Sequence, residues 1–299
     1  GGPIVPQIAK SFDSYWNDQW SFPIDAISHL GTRKTARATV SQRAEGMSSA
    51  FPVLDDAERD QLWRQTVRES FRGRARLYVD KPPSASPDAV EDRPVQVADE
   101  LVQLINNARN EVVIVSAYLI PTPPVTAVLR DAAERGVTVR ILTNSINSNN
   151  HVSAYAAYRN HVSELLSFGT QVHELRVQGQ GRSRYILPPI SQKKLGLHAK
   201  YMIVDGRRVF VGSSNFDPRS LRINTEIGLV VESRALSQRL LTLTEPDFAK
   251  TSSWQLALTP EGQINWIGDS GVLLSEPASH GFQKIEEWFF AHLPIEAEL

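Results

Sequence analysis

An alternation of helical and strand patterns between residues 97 and 232 restricts the fold more than any other feature of this sequence. Apolar residues recur at helical spacing in three segments, at 97–108, 123–135 and 152–168. Short apolar runs predict six strands, at 112–118, 137–143, 171–176, 201–204, 208–212 and 226–232. Elements that alternate in this way pack as layers, and the Asp-Gly turn before residue 208 is typical of an antiparallel hairpin. We therefore expect an α/β fold, a layered α/β/α sandwich with a mixed β-sheet.

The beginning of the chain lacks this regular alternation. Aromatic residues at positions 12–20 recur near helical spacing and predict a short amphipathic helix. We favour its packing in the core, with a terminal helix at 285–293 as partner, over its insertion in lipid. Residues 29–50 mix Arg, Lys, Thr, Ser and Ala without an apolar period and predict a linker. We expect a helix and linker at 1–50, followed by a catalytic lobe at 51–299.

Composition and motif content exclude several classes of protein. The 299 residues include no cysteine, which excludes thiolate catalysis and cysteine-bound zinc. A formal net charge of -1 provides no overall basic field for nucleic acid, and no Gly-rich phosphate-loop motif predicts nucleotide binding. Six histidines are scattered through the chain, so we interpret them as structural and expect no metal and no cofactor: His29, His151, His161, His173, His280 and His292.

Hydropathy indicates no transmembrane segment. The longest apolar stretch begins at Val112 and is about half of the ~18 to 20 residues that cross a bilayer. The first residues also lack the basic region and apolar core of a signal peptide. We expect neither feature in this chain.

The segment 195–220, LGLHAKYMIVDGRRVFVGSSNFDPRS, concentrates the groups that carry chemistry. On a strand, His198 and Lys200 would project from the same face, because side chains alternate between faces. Asp205 opens the following turn, and we interpret it as a hydrogen-bond anchor. The hairpin then returns through Gly212, which brings Ser213 and Asn215 back toward the histidine and the lysine.

A phosphodiester needs this combination of groups. An imidazole provides a nucleophile or an acid near neutral pH, an ammonium neutralises the non-bridging oxygens, and a hydroxyl and an amide donate hydrogen bonds in the transition state. Glu226, in the segment NTEIG, is a candidate to accept the Nδ1 proton of a histidine and to fix its tautomer. A His and a Lys two residues apart are usually surface residues, but the complete pattern makes a chance occurrence implausible.

The segments HAKYMIVD, GSSNFDPRS and NTEIGLVV resemble the phospholipase D superfamily, and within it the bacterial cardiolipin synthase-like branch. The flanking segments GGPIVPQIAKSFDSYWN, VVIVSAYLIP and EPASHGFQKIEEWFFAHLPIEAEL are also similar to that branch, so the resemblance covers nearly the whole chain. Members of the branch carry two HxKxxxxD motifs, whereas this sequence has one. The resemblance implies a C-terminal half that carries the second motif, with the second histidine supplied by a complementary half or by a homodimer.

The resemblance also implies a mechanism and a role for each residue. One histidine attacks phosphorus and a second protonates the leaving alcohol. His198 would be the general acid and base, Lys200 and Asn215 would bind the phosphate oxygens, Ser213 would support that site, and Glu226 would orient a catalytic histidine. Four further residues would form the scaffold of the site: Asp205, Gly212, Asp217 and Arg219.

The implied function is phosphatidyl transfer that makes cardiolipin. Phosphatidylglycerol would be the acceptor, with phosphatidylethanolamine as a further substrate, and the protein would contact the cytoplasmic face of a bacterial inner membrane peripherally. Two alternatives stay open. One is a phosphodiesterase that uses water as acceptor on lipid or nucleic acid, although the charge disfavours nucleic acid. The other is an inactive half-protein that binds a complementary half.

Overall fold

A computed structural model describes residues 2–27, 54–81, 96–186, 194–279 and 281–293, and it shows an α/β protein built on one large sheet. The predicted linker at 29–50 lies outside these ranges. The sheet has ten strands in the order β1-β7-β6-β5-β2-β3-β4-β8-β9-β10. β2 and β3 are parallel, as are β3 and β4, and all the other neighbours are antiparallel. The expected mixed sheet is confirmed.

The elements of the described residues have the following bounds. The strands are β1 Arg74–Val79, β2 Glu111–Ser116, β3 Thr138–Asn144, β4 Gln171–Leu175, β5 Lys200–Val204, β6 Arg208–Gly212, β7 Ile227–Glu232, β8 Ser253–Leu258, β9 Ile264–Gly268 and β10 Gly271–Leu273. The α-helices are α1 Ile4–Trp16, α2 Ile24–Ile27, α3 Asp56–Arg68, α4 Gln96–Asn106, α5 Pro123–Glu134, α6 Val152–Ser167, α7 Pro218–Arg222, α8 Arg234–Phe248 and α9 Gly281–Ala291. A 3₁₀ helix spans Gln180–Arg184.

The central strands are buried on both faces, which makes the molecule a three-layer sandwich. Alternate residues of β2 enter two separate cores: Val112 and Ile114 pack with α4, α5 and α6, whereas Val113 and Val115 pack with α8. Successive side chains of a strand point to opposite faces, which produces this division. Because both faces of β2 are buried, its sequence is a continuous apolar run.

Several elements differ from the sequence predictions. The N-terminal helix begins at Ile4, and its aromatic face does not enter a core: Phe12 is 60% exposed and Trp16 is 70% exposed. The helix lies against β1, where Tyr15 donates a hydrogen bond to the Asp80 carbonyl. The expected packing against the terminal helix was therefore wrong. None of the described helices is long and apolar enough to cross a bilayer.

Candidate active site

Residues from four chain segments meet at one edge of the sheet. Lys200, the first residue of β5, lies opposite Ser116, the last residue of β2. β6 runs antiparallel to β5 and ends at Gly212, which lies opposite Gly228 at the start of β7. The start of β5, the end of β6 and the start of β7 therefore share one edge, as the hairpin prediction required.

His198 and Lys200 are the candidate catalytic residues at this edge, and they are called the reactive pair below. β5 begins at Lys200, so the expectation that His198 lies within the strand was wrong: it precedes the strand and is exposed. The two side chains nevertheless meet, because the Lys200 Nζ lies 3.5 Å from the His198 Nδ1 and donates to the His198 carbonyl at 3.1 Å. Burial lowers the pKa of the Lys200 ammonium below its usual value, although the charges of Asp217 and Glu226 oppose that shift.

The Glu226 carboxylate is fixed by neutral donors. The Ser213 hydroxyl donates to its Oε2 in a short hydrogen bond, and the Asn224 Nδ2 donates to its Oε1 at 3.2 Å. Glu226 is only 6% exposed, so these partners satisfy a buried charge. Neither of these contacts is to His198, so the role of Glu226 in orienting a catalytic histidine stays a prediction, which a histidine of a complementary half or of a second copy could also satisfy. Glu226 also contributes negative charge near Lys200.

Asn215 and Asp217 form the next part of the edge. Asn215 is 7% exposed, and its side chain hydrogen-bonds to the Asp217 carboxyl group. Asp217 also caps α7, where its Oδ1 accepts from the Ser220 N–H at 2.6 Å. Burial raises the pKa of the Asp217 carboxyl above its usual value even though these hydrogen bonds oppose the shift. Asp217 thus holds Asn215 at the sheet edge.

Asp205 and Gly212 fix the backbone of the hairpin. Asp205 lies at the far end of β5 with a φ of 54°, and its carboxylate accepts from the N–H groups of Arg109, Asn110 and Glu111 at 2.7–3.2 Å. Five residues at about 3.3 Å each separate it from Lys200, so it anchors a turn far from the reactive pair. At Gly212, an added Cβ would lie 2.5 Å from the Ile227 carbonyl oxygen, so only glycine permits this close approach of β6 and β7.

Asp80 stabilises this edge of the sheet through hydrogen bonds to the backbone. The sequence patterns did not identify it. Its Oδ2 accepts from the Glu226 N–H at 3.0 Å, and its Oδ1 accepts from the Val97 N–H at 3.1 Å. The Asp80 N–H also donates to the Glu226 carbonyl at 3.0 Å. One buried carboxylate therefore links the end of β1, the start of α4 and the residue before β7.

One cavity borders His198, and a second lies beside Asn215 and Asp217. One, of about 260 Å³, has mainly apolar walls and is lined by Val115, Leu142, Leu175, Tyr185, Leu195, Gly196, Leu197, His198, Ala199, Tyr201 and Asp247. The other, of about 280 Å³, is more polar and is lined by Tyr118, Ile120, His151, Ser153, Ala154, Asn215, Asp217, Arg219, Ser220 and Asn224. Tyr118 was not predicted, and His151 was interpreted as structural, whereas it lines the second cavity. Among the described residues, no cluster of three His, Asp or Glu side chains is arranged to hold a metal.

Comparison with known proteins supports the resemblance seen in the motif. Residues 101–246 match the family described as "Cardiolipin synthase, PLD-like domain". The chain is 28% identical to cardiolipin synthase C of Escherichia coli, an alignment that covers 99% of this chain and 64% of the relative. It is 33% identical to cardiolipin synthase A of Pseudomonas aeruginosa over 54% of this chain and 28% of that protein.

The fold agrees with a solved structure of low sequence identity. The crystal structure of phosphatidylserine synthase from Haemophilus influenzae aligns with a TM-score of 0.55 and 13% identity, over 97% of this chain and 60% of that one. The chain is also 28% identical to an uncharacterised protein of Helicobacter pylori, of which it covers 57%. The chain thus spans roughly three fifths of the length of the relatives that match it from end to end.

Proposed function

Because residues 101–246 match the family described as "Cardiolipin synthase, PLD-like domain", we propose that this protein transfers phosphatidyl groups between phospholipids and forms cardiolipin. The observation that carries the proposal is the position of His198, the partner of Lys200, in the wall of an apolar cavity. An engineered apolar cavity of about 150 Å³ binds benzene, so one of about 260 Å³ accepts a larger apolar group. A phosphodiester with one apolar substituent fits this arrangement better than a nucleic acid does.

Each step of the transfer has an assigned group. A histidine nitrogen attacks phosphorus while the bond from phosphorus to the leaving alcohol oxygen breaks, and His198 gives its proton to that oxygen. His198 then removes the proton of the incoming alcohol, whose oxygen attacks phosphorus and breaks the phosphorus–nitrogen bond. Lys200 neutralises the non-bridging oxygens and Asn215 donates a hydrogen bond to them, while Ser213 supports that site and Glu226 orients a catalytic histidine.

The reaction needs a second histidine as nucleophile. A complementary segment with a first HxKxxxxD motif would provide it, or a second copy of this chain related by a two-fold axis. In the second case either copy of His198 could act as nucleophile. The division into 1–50 and 51–299 remains part of the proposal, and the matched domain lies within the second of these regions.

The membrane setting follows from the lipid substrates. Phosphatidylglycerol would be the acceptor and phosphatidylethanolamine a further substrate, at the cytoplasmic face of a bacterial inner membrane. Exposed aromatic residues support peripheral contact, because Trp16 on α1 is 70% exposed and Trp288 on α9 is 62% exposed. Such side chains bind readily at the boundary between headgroups and acyl chains.

A comparison of substrate classes tests the proposal. The 299-residue chain would be incubated with phosphatidylglycerol vesicles, with single-stranded DNA and with bis(p-nitrophenyl) phosphate, and the His198-dependent rate would be measured for each. His161→Ala is the matched control, because His161 lines neither the apolar cavity at His198 nor the cavity beside Asn215. We expect the largest His198-dependent rate on the lipid and an unchanged rate in the control variant.

Each other outcome points to one of the alternatives. Cleavage of DNA that exceeds turnover of lipid would replace the proposal with a nuclease. Release of phosphatidic acid without cardiolipin would make water the acceptor. No His198-dependent rate on any substrate would favour an inactive half-protein that binds a complementary half.

A further inference from the structure

His198 lies outside the part of β5 that strand pairing holds. The pairing of β5 with β2 ends where Lys200 lies opposite Ser116, and His198 comes two residues earlier. Within the described ranges, the His198 side chain has one hydrogen bond, with the Lys200 Nζ at 3.5 Å. A contact of that length is weak and cannot by itself fix an exposed imidazole. The position of His198 therefore depends on what holds the residues before it.

The Asn144 side chain holds the residue directly before His198. Asn144 is the last residue of β3 and is only 3% exposed. Its Oδ1 accepts from the Leu197 N–H at 2.8 Å, and its Nδ2 donates to the Leu197 carbonyl at 2.9 Å. The same Nδ2 donates to the Ala117 carbonyl at 2.9 Å. The amide thus uses its acceptor and both of its donor N–H groups on the backbone of two other segments.

Close packing holds the same part of the chain. An added Cβ at Gly196 would lie 3.0 Å from the Ser148 carbonyl oxygen, in the loop that follows β3. The Lys194 Nζ also donates to the Asn149 carbonyl of that loop at 3.4 Å. The segment before His198 therefore lies directly against the end of β3.

These contacts connect the two members of the reactive pair. Ala117 directly follows β2, whose last residue lies opposite Lys200, and Leu197 directly precedes His198. Because the Asn144 amide bonds to both Ala117 and Leu197, it sets the distance between the strand end that holds Lys200 and the residue before His198. Two hydrogen bonds to one residue, at its N–H and at its carbonyl, also fix the orientation of the backbone there.

We propose that Asn144 is the positioning residue of His198, and that it holds the imidazole against the phosphate that Lys200 binds. This inference deepens the proposed function and rests on it. Asn144 acts only through the backbone of Leu197, and a misplacement of about 1 Å can cost about 10²-fold in rate. Loss of the amide should therefore lower kcat and leave KM nearly unchanged, since Lys200 and Asn215 still bind the phosphate.

Kinetics of a soluble phosphodiester test this role apart from any lipid surface. The His198-dependent turnover of bis(p-nitrophenyl) phosphate would be measured on the 299-residue chain. In Asn144→Ala we expect kcat to fall about tenfold to 100-fold and KM to stay within about twofold. Gln283→Ala is the matched control and should keep the native kcat. Gln283 is also a buried amide, 5% exposed, and it donates to the Ile146 carbonyl at 2.6 Å in the same loop.

Nitrogen chemical shifts of the imidazole report the position of His198 without any turnover. The chain would be labelled with ¹⁵N-histidine, and the His198 signals would be assigned from their loss in His198→Ala. We expect the signals of Gln283→Ala to coincide with those of the native chain. Those of Asn144→Ala should shift toward the values of an unstructured histidine, because Lys200 no longer lies beside the Nδ1.

Two further measurements apply if Asn144→Ala does not fold. In the native chain, the Leu197 amide should exchange its hydrogen at least about 100-fold more slowly than in an unfolded peptide, because it donates to Asn144. Asn144→Asp keeps the shape of the side chain and the acceptor for the Leu197 N–H, so its loss of kcat should be smaller than in Asn144→Ala. A native kcat and native His198 signals in Asn144→Asp would then overturn the inference.

The outcomes that overturn the positioning role are distinct from those that overturn the function. An unprotected Leu197 amide, or His198 signals that do not move in Asn144→Ala, would overturn the role of Asn144. Equal losses of kcat in Asn144→Ala and Gln283→Ala would do the same, because they would show a general effect of lost stability. His198 signals that move only in Asn144→Ala, without His198-dependent turnover of any substrate, would support the positioning role while overturning the proposed function.

Discussion

At the scale of single residues, the site depends on an ammonium held in a partly dehydrated position. Lys200 is half-buried between the His198 carbonyl and two carboxylates, and burial lowers its pKa while Asp217 and Glu226 raise it. This balance places a cation where phosphate oxygens would lie and limits the competition from water for those oxygens. The neighbouring carboxylates thus keep the lysine charged.

The balance predicts how phosphate binding responds to pH. Because the charged form of Lys200 is the one that binds, affinity for inorganic phosphate should fall as pH rises through its lowered pKa. Glu226→Gln removes a charge that raises this pKa, so the fall should move to lower pH. Lys200→Met should weaken binding about tenfold or more and abolish this fall.

Glu232→Gln provides the control for the preceding prediction. Glu232 is an exposed carboxylate at the opposite end of β7, and its charge does not shift the pKa of Lys200. An unchanged pH profile in Glu226→Gln, or an equal shift in Glu232→Gln, would show that Glu226 does not act on this lysine.

At the scale of elements, Asp80 joins three segments that are distant in sequence. Its carboxylate accepts from the N–H groups of Val97 and Glu226, so Asp80→Ala leaves two buried donors without partners. We expect the free energy of unfolding to fall by about 2 to 4 kcal/mol. Denaturant titration measures this fall, and Asp99→Ala, an exposed acidic residue on α4, should leave stability within about 0.5 kcal/mol. A loss in Asp80→Ala no larger than in the control would contradict the assignment.

Two adjacent buried residues of β4 should give opposite pH dependence of stability. Burial raises the pKa of Glu174 to about 7, although Trp266 donates to its carboxylate, and burial lowers the pKa of His173 to about 4. Between about pH 4.5 and pH 6.5 the folded chain binds one more proton at Glu174 and one fewer at His173 than the unfolded chain. The two effects cancel in the native sequence.

Substitution of one member should expose the effect of the other. In Glu174→Gln the buried carboxyl group no longer destabilises the fold as pH rises. The free energy of unfolding should then increase by about 3 kcal/mol between about pH 4.5 and pH 6.5, because only the effect of His173 remains. In His173→Gln stability should decrease over the same range. The measurement is denaturant unfolding at several pH values. Identical pH profiles for both variants would contradict these pKa directions.

The same scale shows which parts of the fold could be predicted from the sequence. The central strands were predicted because burial on both faces leaves continuous apolar runs, as in β2. α8 was not predicted, since it contains Pro246 and its apolar residues form only a narrow stripe. β8, β9 and β10 were missed as well, because half-buried residues predominate in β8 and β9, β10 is exposed, and none of the three shows a clear alternation.

The site was predicted only as far as the motif extends. His198, Lys200, Ser213, Asn215 and Glu226 lie within 29 residues, and hairpin geometry brings them to one edge. The supporting residue Asp80 and the cavity residues Tyr118 and His151 come from separate elements, so local patterns contain no information on their proximity. The role of Glu226 stays a prediction, because alternation fixes a face of a strand but not the partner of a side chain.

At the scale of the whole molecule, the single reactive histidine is the main constraint on function. A two-fold dimer would join two copies of His198 in one site, whereas a complementary segment would leave one copy in each site. Co-refolding equal amounts of native chain and His198→Ala distinguishes the two. A composite site should retain about one quarter of the activity, because only one quarter of random dimers contain two native chains. Retention of one half would contradict a shared site, whereas a native chain that becomes active only when the complementary segment is added would favour that segment.

The formation of cardiolipin tests the central claim most directly. The native chain and His198→Ala would be compared in mixed vesicles of phosphatidylglycerol and phosphatidylethanolamine, with cardiolipin and phosphatidic acid measured over time. We expect cardiolipin as the main product, and a loss of about 10² to 10⁴-fold or more in the variant, which is the contribution of a general acid and base. Equal cardiolipin formation by both chains would contradict the role of His198, and phosphatidic acid without cardiolipin would contradict transfer.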